Sequence, residues 1–129
     1  MDKKPKIWKN QPDKHDYPAA HDYLTLLFEE KAARRLVAAL RRAPSMRRKA
    51  KDLLRASHLP LLQRDNPHVT AELKKIKNEK ALSPVLLVRG NAKAGLPLIV
   101  ADGYHRICAS WYRDENLDIV CRIVGRPPA

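Results

Sequence analysis

The sequence predicts a small α/β (α+β) protein, a mixed sheet with helices, preceded by an N-terminal helical layer. Three observations point there. From residue 59 onward, short apolar runs bounded by turn formers alternate with amphipathic stretches, in the order strand, helix, strand, strand, helix, strand. Residues 22–56 instead carry their apolar side chains at helical spacing. The chain has 129 residues and is 44% hydrophobic, enough for one core and too apolar for wholesale disorder.

Residues 1–20 read as an extended basic arm, with Lys3, Lys4, Lys6 and Lys9 interspersed with Pro5, Pro12 and Pro18. The segment "HDYPAAHDY" repeats His-Asp-Tyr at 15–17 and 21–23. A metal site is one reading of the two His-Asp pairs, but Pro18 separates them and no Cys or Glu completes a set. The repeat is therefore read as chance.

A helical segment is expected over 21–56. Leu24, Phe28, Ala32 and Leu36 recur every four residues, with Leu27, Val37 and Leu40 alongside. Asp22 is the expected N-cap and Pro44 the stop. Ser45 then caps a second helix with Met46, Ala50, Leu53 and Leu54 on one face. An α/β domain follows over 57–125, with a tail at 126–129. Within it, Leu59–Leu62 reads as a short strand, Asn66-Pro67 as a turn, and Thr70 as the cap of a helix through Lys77. "SPVLLVRG" and "LPLIVA" read as buried strands joined by the flexible "GNAKAG". Residues 103–114 read as a helix and "DIVCRIV" as the last strand.

Charge narrows the partners. Lys and Arg number 26 against 14 Asp and Glu, a net of +12, which favours polyanions: nucleic acid, nucleotides or anionic lipid. Between residues 31 and 56 ten basic residues face one acid, Asp52. Arg41, Arg42, Arg47, Arg48, Lys49 and Lys51 would share the solvent face of the two helices and could lie along a phosphate backbone. No aromatic residue stands there to stack on bases. The opening "MDKKPKIWKNQPDK" lacks the apolar centre of a signal peptide, and no run approaches the roughly 18 apolar residues of a membrane span. A cytoplasmic protein with no membrane contact and two free core thiols, Cys108 and Cys121, is expected. Oligomeric state is left open.

The stretch "ADGYHR" carries the chemistry. A helix starting just past a strand directs unpaired backbone amides outward, where an anion can meet them. Gly103 lets backbone approach a ligand and tolerates positive φ. Arg106 offers a planar fork for a phosphate, and His105 a donor or a proton carrier. Asp102 is a metal ligand or base, or simply the N-cap of the helix. Tyr104, in the first turn, either stacks on a ring or packs.

"LPLIVADGYHRICASWY" followed by "LDIVCRIV" resembles the ParB/sulfiredoxin superfamily, whose members place G-x-H-R or G-E-R-R after a strand at a helix start. "LPLLQRDNPHVTAELKKIKNEKALSPVLLVRG" resembles the upstream part of that pattern, so the resemblance spans roughly residues 57–125. It implies a nucleotide or other phosphate ligand, with Mg²⁺ a possible companion, held at Gly103, Tyr104, His105 and Arg106. The turn before the first helix adds Arg64, Asn66 and His68. Sulfiredoxins have cysteine where Tyr104 stands, so reduction of sulfinic acids is not expected. Partition-type members have glutamate at the position of His105 and continue into a DNA-reading domain, so operator reading is not expected either. The Asp-Gly-x-His-Arg form is closer to stand-alone members, some of which phosphorylate free serine. Three functions follow. The first is a ParB-like nucleotide or phosphate binder. The second is a phosphotransferase or nucleotide hydrolase using Asp102 and His105, with Glu72 or Asp65 as a second acid. The third is a basic DNA-binding protein without catalysis.

Overall fold

The computed structural model describes residues 7–127. Five helices surround a four-stranded mixed sheet: α1 (Asp16–Leu24), α2 (Glu30–Arg42), β1 (Met46–Lys49), α3 (Ala50–Ser57), α4 (Pro67–Lys77), β2 (Val85–Val88), β3 (Ile99–Asp102), α5 (Tyr104–Arg113) and β4 (Asp118–Val124). The sheet order is β1-β4-β2-β3. β4 runs parallel to β2 and antiparallel to β1, while β2 and β3 are antiparallel. Every residue of β2 is buried, as a central strand covered on both faces requires.

Two apolar clusters cover the two faces. On one, Ala50, Leu53 and Leu54 of α3, Val69 of α4 and Ile107 and Cys108 of α5 meet Val85, Leu87 and Ile119. On the other, Ala20 and Leu24 of α1 and Ala33, Leu36 and Leu40 of α2 meet Leu86, Val88 and Ile99. Alternation along each strand sends successive residues to opposite clusters.

The strands expected at "SPVLLVRG", "LPLIVA" and "DIVCRIV" and the helix after Gly103 form as expected. The N-terminal half differs. The extended arm ends early: α1 begins at Asp16, six residues before the expected start, and Pro18 lies inside its first turn, where a missing amide hydrogen removes no intrahelical bond. Residues 1–6 of that arm lie outside the described residues. Trp8 forms a parallel bridge with Leu82, tying the segment to the domain. The single helix expected from Asp22 to Pro44 is two. Thr25 donates its hydroxyl to the Asp22 carbonyl at 2.7 Å, and turns at Leu26, Leu27 and Phe28 break the period. Leu27 is consequently half exposed.

The largest correction concerns residues 46–49. They form an edge strand on β4 rather than the first turn of a helix, and Ser45 donates to the Asn10 carbonyl instead of capping. Arg122 explains the pairing. Its buried guanidinium donates to the carbonyls of Leu40 and Arg41 and, through Nε, to Ser45, pinning the end of α2 beside β4. Pro44 leaves three residues for the turn, so the chain meets the free edge of β4. The N-terminal segment thus supplies a strand to the common sheet.

Two smaller corrections follow from backbone accounting. Leu59–Leu62 forms no strand. Asn66, not Thr70, caps α4: its Oδ1 accepts from the amides of His68 (2.9 Å) and Val69 (3.2 Å), with Pro67 at the first helical position. In the tail, Arg126 donates to Pro97 O at 2.8 Å, while residues 128–129 lie outside the described residues. No helix among the described residues is long and apolar enough to cross a membrane.

Candidate functional site

Gly103 ends β3 and begins α5 with φ +112°. A Cβ there would stand 2.4 Å from Val85 Cγ1 and 3.1 Å from Arg106 Nη2. Glycine is therefore required for backbone conformation and for contact with the central strand. Close approach of a ligand is not needed to explain it. No side chain caps α5, so its first amides have no partner from a cap.

Asp102 is not the N-cap. Its Oδ2 accepts from Arg106 Nη2 at 2.6 Å, one helical turn on. Arg106 Nη1 reaches Asp16 Oδ2 at 3.4 Å and donates to the carbonyl of Ser83. With only 8% of its surface exposed, Arg106 is committed to an internal network and is not free to clamp a phosphate. That corrects its expected role. Burial is also the main reason that the Asp102 carboxyl is pushed up to about 6: the Arg106 charge opposes the shift, and the neighbouring Asp16 adds to it. Two carboxylates share one guanidinium, so a proton is easily accommodated.

Arg106 nevertheless borders a cleft of about 580 Å³, walled by α4, α5 and the segment that precedes α1. Gly103, His105, Arg106 and Asp102 line it, joined by Glu72, Lys75 and Lys80. The opposite wall is Lys9, Asp13, His15 and Asp16, all from the stretch expected to be a free arm. The cleft brings four cationic side chains (Lys9, Lys75, Lys80, Arg106) and four carboxylates (Asp13, Asp16, Glu72, Asp102) to one place. Most are paired: Lys9 with Asp13 at 2.8 Å, Lys75 with Glu72 at 3.4 Å, Arg106 with Asp102 and Asp16. Lys80 makes no ion pair among the described residues. Glu72 Oε2 is buried with no hydrogen-bond partner among them.

The other expected site residues divide. His68 lies against His105, ring centroids 4.7 Å apart. Burial, and then the proximity of His68, holds His105 below the usual histidine value, so it is neutral at pH 7. Tyr104 donates its hydroxyl to the carbonyl of Pro60 and is absent from the cleft lining. Asn66 is occupied as a helix cap. Arg64 stacks over Tyr112, 5.9 Å from the ring centroid, and lines a different groove. Of the two acids considered as a second carboxylate, Glu72 lines the cleft and Asp65 does not.

Asp13, His15 and Asp16 each offer a donor atom within 4.8 Å of one another, a spacing that a divalent cation can span. Asp13 Oδ1 is bonded to Lys9, and Asp16 Oδ2 accepts from Ser83 and Arg106, so two cationic side chains already neutralise these oxygens. The His-Asp repeat was the one sequence signal for this wall. Its first copy lines the cleft, while in the second His21 contacts Glu30 at 3.0 Å on the outer surface.

Both cysteines are buried free thiols, and burial raises both, Cys121 to about 11. Neither has the exposure or lowered pKa of a reactive thiol. No family model matches the chain, and no curated protein or solved structure does so either.

Proposed function

We propose that the cleft binds a small phosphate-bearing ligand, a nucleotide being the class that fits best. The phosphate meets the uncapped start of α5, Lys80 and the His105 ring, rather than Arg106. One observation carries the reading: an unsatisfied helix N-terminus lines the same cleft as an unpaired lysine. Equal numbers of cations and carboxylates argue against a simple trap for free phosphate. They suit a ligand that also carries hydroxyl groups, and Glu72 Oε2 is an acceptor still in need of one. The resemblance of residues 57–125 to the ParB/sulfiredoxin superfamily supports the same class. Mg²⁺ would enter with the nucleotide, because Asp13 and Asp16 are already neutralised.

Titration calorimetry with nucleoside triphosphates and with inorganic phosphate, with and without Mg²⁺, tests this. Binding of nucleotide, weakened about tenfold or more in Lys80→Gln with folding intact, is expected from loss of one charge-assisted contact. No heat at millimolar nucleotide would refute it.

Phosphoryl transfer is a second reading, favoured by Asp102. A carboxyl near 6, lining a cleft, is suited to accept the proton of an acceptor hydroxyl. The hydroxyl oxygen would bond to the terminal phosphorus as the bridging P–O bond breaks, releasing nucleoside diphosphate. Release of diphosphate that depends on a small hydroxyl acceptor supports transfer. Release with water alone supports hydrolysis, and binding without turnover excludes both.

A further inference from the structure

The open edge of the sheet has a chemistry of its own. Of the two edge strands, β3 lies against α1, whereas β1 carries Arg47, Arg48 and Lys49 exposed in succession. Arg41 and Arg42, exposed at the end of α2, are separated from β1 by three residues, and Arg122 holds that helix end against the sheet. Lys51 follows in the first turn of α3. None of these six cations makes an ion pair among the described residues. Arg48 donates only to the carbonyl of Arg47. One charged residue suffices to protect a sheet edge from edge-to-edge pairing. Six unpaired like charges exceed that need, and their mutual repulsion acts against the fold.

We infer that this ridge binds double-stranded DNA through its phosphates, without reading sequence. Arg47 and Lys49 project to one side of the strand about 6.6 Å apart, at ~3.3 Å per residue, while Arg48 projects to the other. An edge strand also presents unpaired amides, which join basic side chains in holding phosphate oxygens. Duplex rather than single strand follows because the rings nearest these cations, Trp8 and Tyr17, are buried, Tyr17 beneath Arg41 at 4.3 Å, so among the described residues the ridge exposes no ring on which to stack a base. The inference is independent of the cleft and survives if the cleft binds nothing.

Fluorescence anisotropy of the full chain with two unrelated 20-base-pair DNA duplexes, over a salt series, provides the test. Equal affinity for both sequences is expected, with log K falling against log salt at a slope near −5, about −0.9 for each of six neutralised phosphates. Affinity then drops roughly a thousandfold between 50 and 200 mM salt. Arg47→Thr with Arg48→Thr should flatten the slope by about 2. Lys74→Gln with Lys77→Gln removes the same charge from α4 and should leave the slope unchanged. Protection of Lys49 and Lys51 from an amine-reactive reagent by duplex, in the unaltered protein, provides a readout independent of any variant's folding. An equal loss in the α4 variant, absence of protection, or tighter binding to single strands or to RNA duplex would overturn the inference.

Discussion

Gly103→Ala separates a glycine needed for the fold from one needed for a ligand. The added methyl would stand 2.4 Å from Val85 Cγ1 and 2.8 Å from Val85 Cβ, well inside van der Waals contact. Val85 is fully buried in the central strand and has no room to retreat. Overpacking of this kind costs about 1–3 kcal/mol. A side chain at φ +112° adds of order 1–3 kcal/mol of backbone strain. Together they destabilise the protein by roughly 2–6 kcal/mol, which lowers the urea midpoint by about 1–3 M at a typical slope for a protein of this size. Urea unfolding followed by far-ultraviolet circular dichroism measures it. Val85→Ala removes the clashing Cγ1, so the double variant should be more stable than the two single losses predict, by about 1 kcal/mol or more. A loss below about 1 kcal/mol in Gly103→Ala, with strict additivity, would show that the glycine is not held by packing.

Four further outcomes follow. Arg106→Leu leaves the buried Asp16 and the half-buried Asp102 without their cation and should cost about 3–5 kcal/mol in urea unfolding. Lys75→Gln or Lys80→Gln, on the surface, should change stability by no more than about 0.5 kcal/mol. Because Asp102 titrates near 6 in the fold and near 3.8 when unfolded, the native state holds its proton more tightly. Its contribution to stability is therefore full below pH 3.8 and lost as pH rises to about 6; Asp102→Asn should remove that fall from urea midpoints measured across the interval. Asn66→Ala removes both cap hydrogen bonds of α4 and should cost about 1 kcal/mol, read from the thermal midpoint.

The C-terminal half was legible because its signals are local. "SPVLLVRG", "LPLIVA" and "DIVCRIV" are apolar enough to be buried whatever surrounds them, and Asp102-Gly103 marks the strand-to-helix junction by backbone chemistry alone. The N-terminal half was not, because its structure is decided by distant partners. "MRRK" has no strand pattern of its own. It pairs with β4 because Arg122, more than seventy residues away, fixes the end of α2. The break after Leu24 is made by backbone turns at Leu26, Leu27 and Phe28, which leave no mark on an otherwise regular apolar period.

The candidate site was half legible for the same reason. Gly103 and His105, expected at a phosphate site, line the cleft, and so does Glu72, an acid to which the sequence assigns no position. Arg106 looked like a ligand residue because the sequence cannot show that Asp16 and the Ser83 carbonyl surround its guanidinium. Lys9, Asp13 and His15 were missed as cleft residues: proline-rich polar sequence reads as an arm unless the Trp8–Leu82 bridge that anchors it is known.

The central claim is that a phosphate group meets the start of α5 within the cleft. Amide chemical shifts of the ¹⁵N-labelled protein, followed during titration with a nucleoside triphosphate, address it most directly. Saturable shifts are expected at Gly103, Tyr104 and His105, with Arg64 and Tyr112 of the neighbouring groove unaffected; Lys80 borders both places and does not distinguish them. Shifts confined to that groove or to β1, with the α5 amides unmoved at saturation, would contradict it.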